Sequence, residues 1–125
     1  MMTKLLYHSE TYDIIGACME VHNELGKGFS EVLYGDALEL EFMDKDIIFT
    51  REKKYNITYK GNLLPHKYKV DFVVNDKIIL EIKAIKILIE SHIKQTLNYL
   101  AASKLKVGLL VNFGEDSLKY KRIIL

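Results

Sequence analysis

The chain has 125 residues, 49% hydrophobic and 28% charged, with a formal net charge of +1. That is one domain of ordinary size with enough apolar residues to build a core. No apolar run reaches about 18 residues, so no membrane-spanning helix is expected. The single cysteine, Cys18, excludes an internal disulfide and points to a reducing, cytoplasmic setting. Residues 1–10 lack a long apolar stretch and a small-residue cleavage site, so they do not read as a signal peptide. The charge is uneven: residues 1–50 carry three Lys against ten Asp or Glu, and residues 51–70 six Lys or Arg against one Glu. The basic stretch permits an anionic ligand; an ordinary charged surface is the alternative.

Residues 9–25 place Ile14, Cys18, Val21 and Leu25 on one helical face, with Ile15 and His22 alongside. Ser9 is the expected N-cap and Gly26 the expected C-cap. Cys18 reads as a small core residue. His22 reads as a core-edge residue, since no second His or Cys lies at ligand spacing. Gly26 to Gly28 allow a tight link, after which Ser30 can cap a helix to about Asp44 with Leu33, Ala37 and Leu40 on one face. Glu31 falls in its first turn, where the helix dipole alone would favour an acid. Tyr34, three residues on, can face the same neighbour.

Residues 48–60 alternate, with Tyr55, Ile57 and Tyr59 on one face and Lys54, Asn56, Thr58 and Lys60 on the other. Gly61-Asn62 is the expected two-residue turn, pairing Lys60 with Leu63 and Tyr55 with Tyr68. Pro65 argues for an edge or a bulge in the second strand. That strand continues to Val74 and contains Asp71. In the next hairpin, Val70, Phe72 and Val74 match Ile78, Leu80 and Ile82 only if Phe72 opposes Leu80 and Val70 opposes Ile82. This needs a three-residue connection, Asn75 to Lys77, or a bulge, and sets Asp71 opposite Glu81 with Lys83 on the same face. Carried back through the first hairpin, regular pairing also puts Lys54, Lys67 and Lys69 on the face of Asp71.

Residues 87–103 read as a helix with an apolar stripe of Ile89, Ile93, Leu97 and Leu100. His92, Gln95 and Tyr99 adjoin it, either as a polar boundary or as part of a site. Lys106 to Phe113 is a buried strand and Leu118 to Leu125 a last one. The expected class is α/β (α+β), in the order α-α-β-β-β-α-β-β.

Two carboxylates opposed on neighbouring strands repel unless something compensates. A divalent cation would, and carboxylate oxygens suit Mg²⁺, with Mn²⁺ as its substitute. Lys83 could then orient water or offset charge on a phosphate; alternatively it only neutralises the acids as an ion pair.

Gly28-x-x-Glu31-x-x-Tyr34, Tyr68-x-x-Asp71, Glu81-Ile82-Lys83, Gln95-x-x-x-Tyr99 and Gly108 to Phe113, in this order, resemble the GxxExxY family of the PD-(D/E)XK nuclease-like superfamily, near its RecB-like branch. The resemblance covers residues 9–124, with Val70 in place of the motif's proline. It implies a restriction-endonuclease-like core, a mixed central sheet flanked by helices, and a Mg²⁺-dependent nuclease acting on nucleic acid, with DNA the expected partner. It also implies metal ligands at Asp71, Glu81, the Ile82 carbonyl and Glu31, and a catalytic lysine at Lys83. Gln95, Tyr99, Tyr34 and Lys69 would bind substrate or support the site. A non-cleaving module that binds nucleic acid or protein is the competing reading, as is a metal-free structural domain. A homodimer or a partner protein would widen the binding surface of so small a domain.

Overall fold

A computed structural model describes residues 6–125; the first half of the N-terminal stretch read for a leader, residues 1–5, lies outside the described residues. The elements are α1 (His8–Leu25), α2 (Glu31–Asp44), β1 (Phe49–Tyr59), β2 (Asn62–Val74), β3 (Ile78–Lys83), α3 (Glu90–Ser103), β4 (Val107–Asn112) and β5 (Lys119–Ile124). They follow the expected order. The five strands form one mixed sheet in sequence order. Only β3 and β4 are parallel, joined by the α3 crossover, and the other neighbours are antiparallel. No helix among the described residues is long and apolar enough to cross a membrane.

The sheet separates two cores. On one face Ile14, Cys18 and Val21 of α1 and Tyr34, Leu38 and Phe42 of α2 pack on Phe72, Leu80, Ile82 and Leu109. Phe42, Phe49 and Phe72 meet there with ring centroids 5.6 to 5.8 Å apart. On the other face Leu100, with Ile93, Leu97 and Tyr99, covers Val70, Val73, Ile79 and Leu110. Burying each large apolar side chain contributes about 1.5–3 kcal/mol.

Several expectations change. The first helix starts at His8 with Tyr7 at the N-cap, because the Tyr7 carbonyl already accepts from the Thr11 N–H at 2.9 Å. Ser9 therefore lies inside the helix. Gly26 does cap its end at φ 69°, its N–H bonding the His22 carbonyl at 2.8 Å. The buried face of α2 is Tyr34, Leu38 and Phe42 rather than Leu33, Ala37 and Leu40. Apolar residues encircle this helix, and only docking against α1 and the sheet selects the phase. Ile89 is exposed and precedes α3 instead of joining its stripe; its N–H bonds the His92 Nδ1 at 3.0 Å.

The first hairpin turns at Lys60-Gly61, both at positive φ, with Tyr59 opposite Asn62 and Thr58 opposite Leu63. Lys60 thus does not pair with Leu63. A bulge between Asn56 and Thr58 absorbs Leu64 to His66 and restores Tyr55 opposite Tyr68. Pro65 lies in this bulge, as its missing N–H demands. In the second hairpin Phe72 opposes Leu80 and Val74 opposes Ile78, with Asn75 to Lys77 as the connection. Asn75 and Asp76 take left-handed φ of 54° and 55°, which their short polar side chains tolerate.

Gly108 on β4 sits under α3: a Cβ there would lie 2.8 Å from the Thr96 Cγ2, a stiff, fully buried methyl. Gly108→Ala should therefore cost about 1–3 kcal/mol by overpacking. Gly108→Ala with Thr96→Ser, which removes that methyl, should regain most of it in urea unfolding. Equal losses in both variants would contradict the contact.

Candidate active site

The pairing of β2 with β3 runs three rungs from the turn and stops at Phe72 opposite Leu80. The next rung would set Asp71 against Glu81. There the side chains replace the backbone ladder: the Asp71 N–H donates to the Glu81 carboxylate at 2.7 Å, and the Ile82 N–H donates to the Asp71 carboxylate at 2.7 Å. The two acids are thus side by side, as their register implied. Glu81 is only 3% exposed.

The alternation along β2 is not regular through this point. Phe72 packs on the α1–α2 side, whereas Val70 packs with Leu100 on the α3 side. Val70 therefore does not share a face with Phe72 and Ile82, a correction to the expected pattern. Glu52, the β1 residue that the register sets against Asp71, has a left-handed φ of 55°. The face assigned to Lys54, Lys67 and Lys69 by regular pairing loses its basis there. Lys69 nonetheless lines a cleft of about 150 Å³ together with Asp71, Glu31, Glu52, Arg51 and Ile82.

Glu31 reaches this cleft from the first turn of α2. Its placement follows from the loop before it. Ser30 caps the helix, its Oγ accepting from the Leu33 N–H at 3.3 Å. Tyr34 is fully buried, stacks on Phe113 at 4.6 Å, accepts from the Phe29 N–H and donates to the Gly26 carbonyl. Tyr34 thus ties down the turn that delivers Glu31, and it does not line the cleft.

Lys83 points its Nζ to the Gln95 Oε1 of α3 at 2.9 Å and makes no ion pair with either acid. The reading in which it bridges the carboxylates therefore loses its contact. Gln95 and Tyr99 line a second groove, between β2 and α3, that Lys69 also borders.

Two positioning residues carried no sequence signal read as such. Arg51 of β1 bonds Asp36 at 2.7 Å, Glu39 at 3.2 Å and the Val32 carbonyl at 3.1 Å, clamping α2 to the sheet edge beside Glu31. Gly35 leaves room for this guanidinium, which a Cβ would displace. Asn112, fully buried at the end of β4, accepts from the Ile85 N–H at 3.0 Å and donates to the Ile85 carbonyl at 2.9 Å, fixing the chain just after Lys83. Asp36 and Glu39, three apart on α2 and in want of a cation, and an Asn near the end of an apolar strand are the signals that could have pointed to them.

Burial, then the Asp71 charge, pushes the Glu81 carboxyl up to about 8, against the pull of the Asp71 N–H and of Lys83. Asp71 is also raised, by burial first, opposed by the Ile82 N–H, with Glu31 adding to the rise. Burial and the two acid charges raise the Tyr99 hydroxyl to about 12, so it stays a donor at neutral pH. Among the described residues no three Asp, Glu, His or Cys side chains are drawn together tightly enough to hold a metal ion. The donors that converge are nevertheless all oxygens, and two are desolvated acids whose mutual repulsion a cation would relieve. That set fits a hard divalent ion such as Mg²⁺.

A Glu81 carboxyl that titrates near 8 in the fold and near its ordinary 4.5 when unfolded keeps a proton that the unfolded chain has released. The stability this provides is present below the lower value and lost as pH rises through the upper one. In EDTA, the urea midpoint of Glu81→Gln should therefore gain on that of the parent from about pH 5 to about pH 8. A constant difference across that range would contradict the raised value.

The PD-(D/E)XK nuclease superfamily model matches residues 8–123. No curated protein matches the chain. Among solved structures it is similar to SSO0001, with TM-score 0.57 and 20% identity over 74% of this chain and 48% of that one. It is also similar to an alkaline exonuclease (LHK-Exo) from Laribacter hongkongensis, with TM-score 0.50 and 16% identity over 69% of this chain and 51% of that one. The chain thus spans about half the length of these structures, and at such identities the likeness is one of fold. With the family model covering nearly all of its length, the chain belongs to the PD-(D/E)XK nuclease superfamily.

Proposed function

We propose that this chain is a Mg²⁺-dependent nuclease of the GxxExxY type that hydrolyses phosphodiester bonds of nucleic acid, with DNA its substrate. The observation that carries the reading is the carboxylate pair at the opening of β2 from β3, with Lys83 two residues beyond. Each acid spends one oxygen on the opposite strand's amide and keeps the other for a cation. Asp71 and Glu81 would hold the ion, with Glu31 approaching from α2 and the Ile82 carbonyl completing the set. The bound ion supplies Lewis acidity and positive charge next to the scissile phosphate.

The chain's own groups do the rest. The Lys83 ammonium, held by Gln95, stands near both acids, where it can orient the attacking water or offset charge on the phosphate. The Tyr99 hydroxyl remains a hydrogen-bond donor there. The GxxExxY motif gains a physical meaning in this reading. Gly28, at φ 112°, permits the turn, Tyr34 fastens it, and Glu31 is the residue it presents.

A non-cleaving module that binds nucleic acid or protein is the second reading. Labelled single-stranded, duplex and branched DNA incubated with Mg²⁺ or Mn²⁺ separates the two. The nuclease predicts cleavage abolished by EDTA and lowered by about 100-fold or more in Lys83→Ala and in Asp71→Asn. Cleavage that survives both substitutions, or none by the parent on any substrate, would overturn it.

A further inference from the structure

The groove between β2 and α3 has features that neither the fold nor the acid pair requires. It has a volume of about 410 Å³, is lined by Gln95, which holds the Lys83 ammonium, and shares Lys69 with the Glu31 cleft. Lys67, Lys69 and Lys94 line it, and no acid does among the described residues. Lys69 leans toward Glu52 at 3.5 Å, an exposed pair that is easily exchanged for another anion. Three rings follow one another in a row. His66 meets Tyr68 edge-on at 5.4 Å, and Tyr68 meets Tyr99 at 5.6 Å. Tyr99 ends the row within the electrostatic reach of Glu81 and Asp71.

Cations flanking a row of rings suit a strand whose phosphates and bases are both accessible. A duplex offers phosphates but keeps its bases stacked and paired, whereas a single strand can lay successive bases on aromatic faces. The depth of the acids argues the same way. Glu81 at 3% exposure is reached more readily by a narrow single backbone than by a double helix.

We propose that this groove binds single-stranded nucleic acid, with bases against His66, Tyr68 and Tyr99 and phosphates on Lys67, Lys69 and Lys94, leading the strand to the acid pair. The proposal rests on the nuclease reading for what happens at the end of the row, but not for the binding itself. His66, Lys67, Tyr68 and Lys94 thereby acquire a role in substrate choice.

The test uses Asp71→Asn in EDTA, so that no cleavage intervenes, and follows the fluorescence anisotropy of a labelled oligothymidylate and of a duplex of equal length across a salt series. The single strand should bind more tightly than the duplex. An oligouridylate run beside it says which sugar the groove takes, and tighter binding of either over duplex supports the proposal. Adding Tyr68→Ala should weaken single-strand binding about tenfold. Adding Lys94→Gln or Lys67→Gln, both at exposed positions, should each reduce the slope of log K against log salt by about 0.7. Lys121→Gln on β5 serves as the remote control and should change neither. Duplex preference, or parent-like binding in the Tyr68 and Lys94 variants with unchanged melting, would overturn the groove. Metal-dependent cleavage would survive that outcome. Conversely, Tyr68-dependent binding without any cleavage by the parent would support the groove while removing the nuclease reading.

Discussion

Two carboxylates standing in for backbone carbonyls hold this structure and its site in one place. Beyond Phe72 and Leu80 the antiparallel ladder ends, and the Asp71 and Ile82 amides would face a gap at the sheet's centre. A buried amide left unpaired costs about 1–3 kcal/mol. The Glu81 and Asp71 carboxylates close it reciprocally. The same bonds carry the acids to a depth where water cannot screen them from each other, so both are held toward their neutral forms. Sheet geometry and acid chemistry are therefore one arrangement, and weakening either weakens both.

The surrounding contacts aim at this gap from separate elements. Arg51 ties α2 to β1, so that Glu31 overlooks Asp71. Tyr34 fixes the loop that starts α2. Asn112 and the Phe113 N–H, which bonds the Lys83 carbonyl at 2.8 Å, hold the far end of β3. Gln95 then fixes the Lys83 ammonium from the opposite face of the sheet. Few of these contacts are exposed ion pairs, which would contribute little. Most are bonds to backbone, which fix position well.

Much of this was legible in the sequence, and the misses have definite causes. The opposition of Asp71 and Glu81 followed from matching apolar sets on two short strands, because a one-residue slip would turn every side chain over. The three-residue connection, or else a bulge, came from the same constraint, and the edge or bulge at Pro65 from its missing N–H. The break between Val70 and Phe72 did not, since it depends on the left-handed turn of Glu52 on the adjacent strand, and Glu is not a residue that announces positive φ. The phase of α2 was unreadable because apolar residues surround it. Arg51 sits among basic residues on an alternating strand, and the tertiary approach of α2 is what distinguishes it from Lys53 and Lys54. Asn112 looked like a strand terminus until its four bonds were in view.

We propose that Asp71 and Glu81 form a cation site built from a strand opening. Calorimetric titration of the protein with Mn²⁺ near neutral pH, in buffers of differing ionisation heat, tests it most directly. The account predicts saturable binding with proton release, since the Glu81 carboxyl must ionise, and loss of that binding in Asp71→Asn and in Glu81→Gln. No saturable binding by the parent, or undiminished binding by both variants, would contradict it.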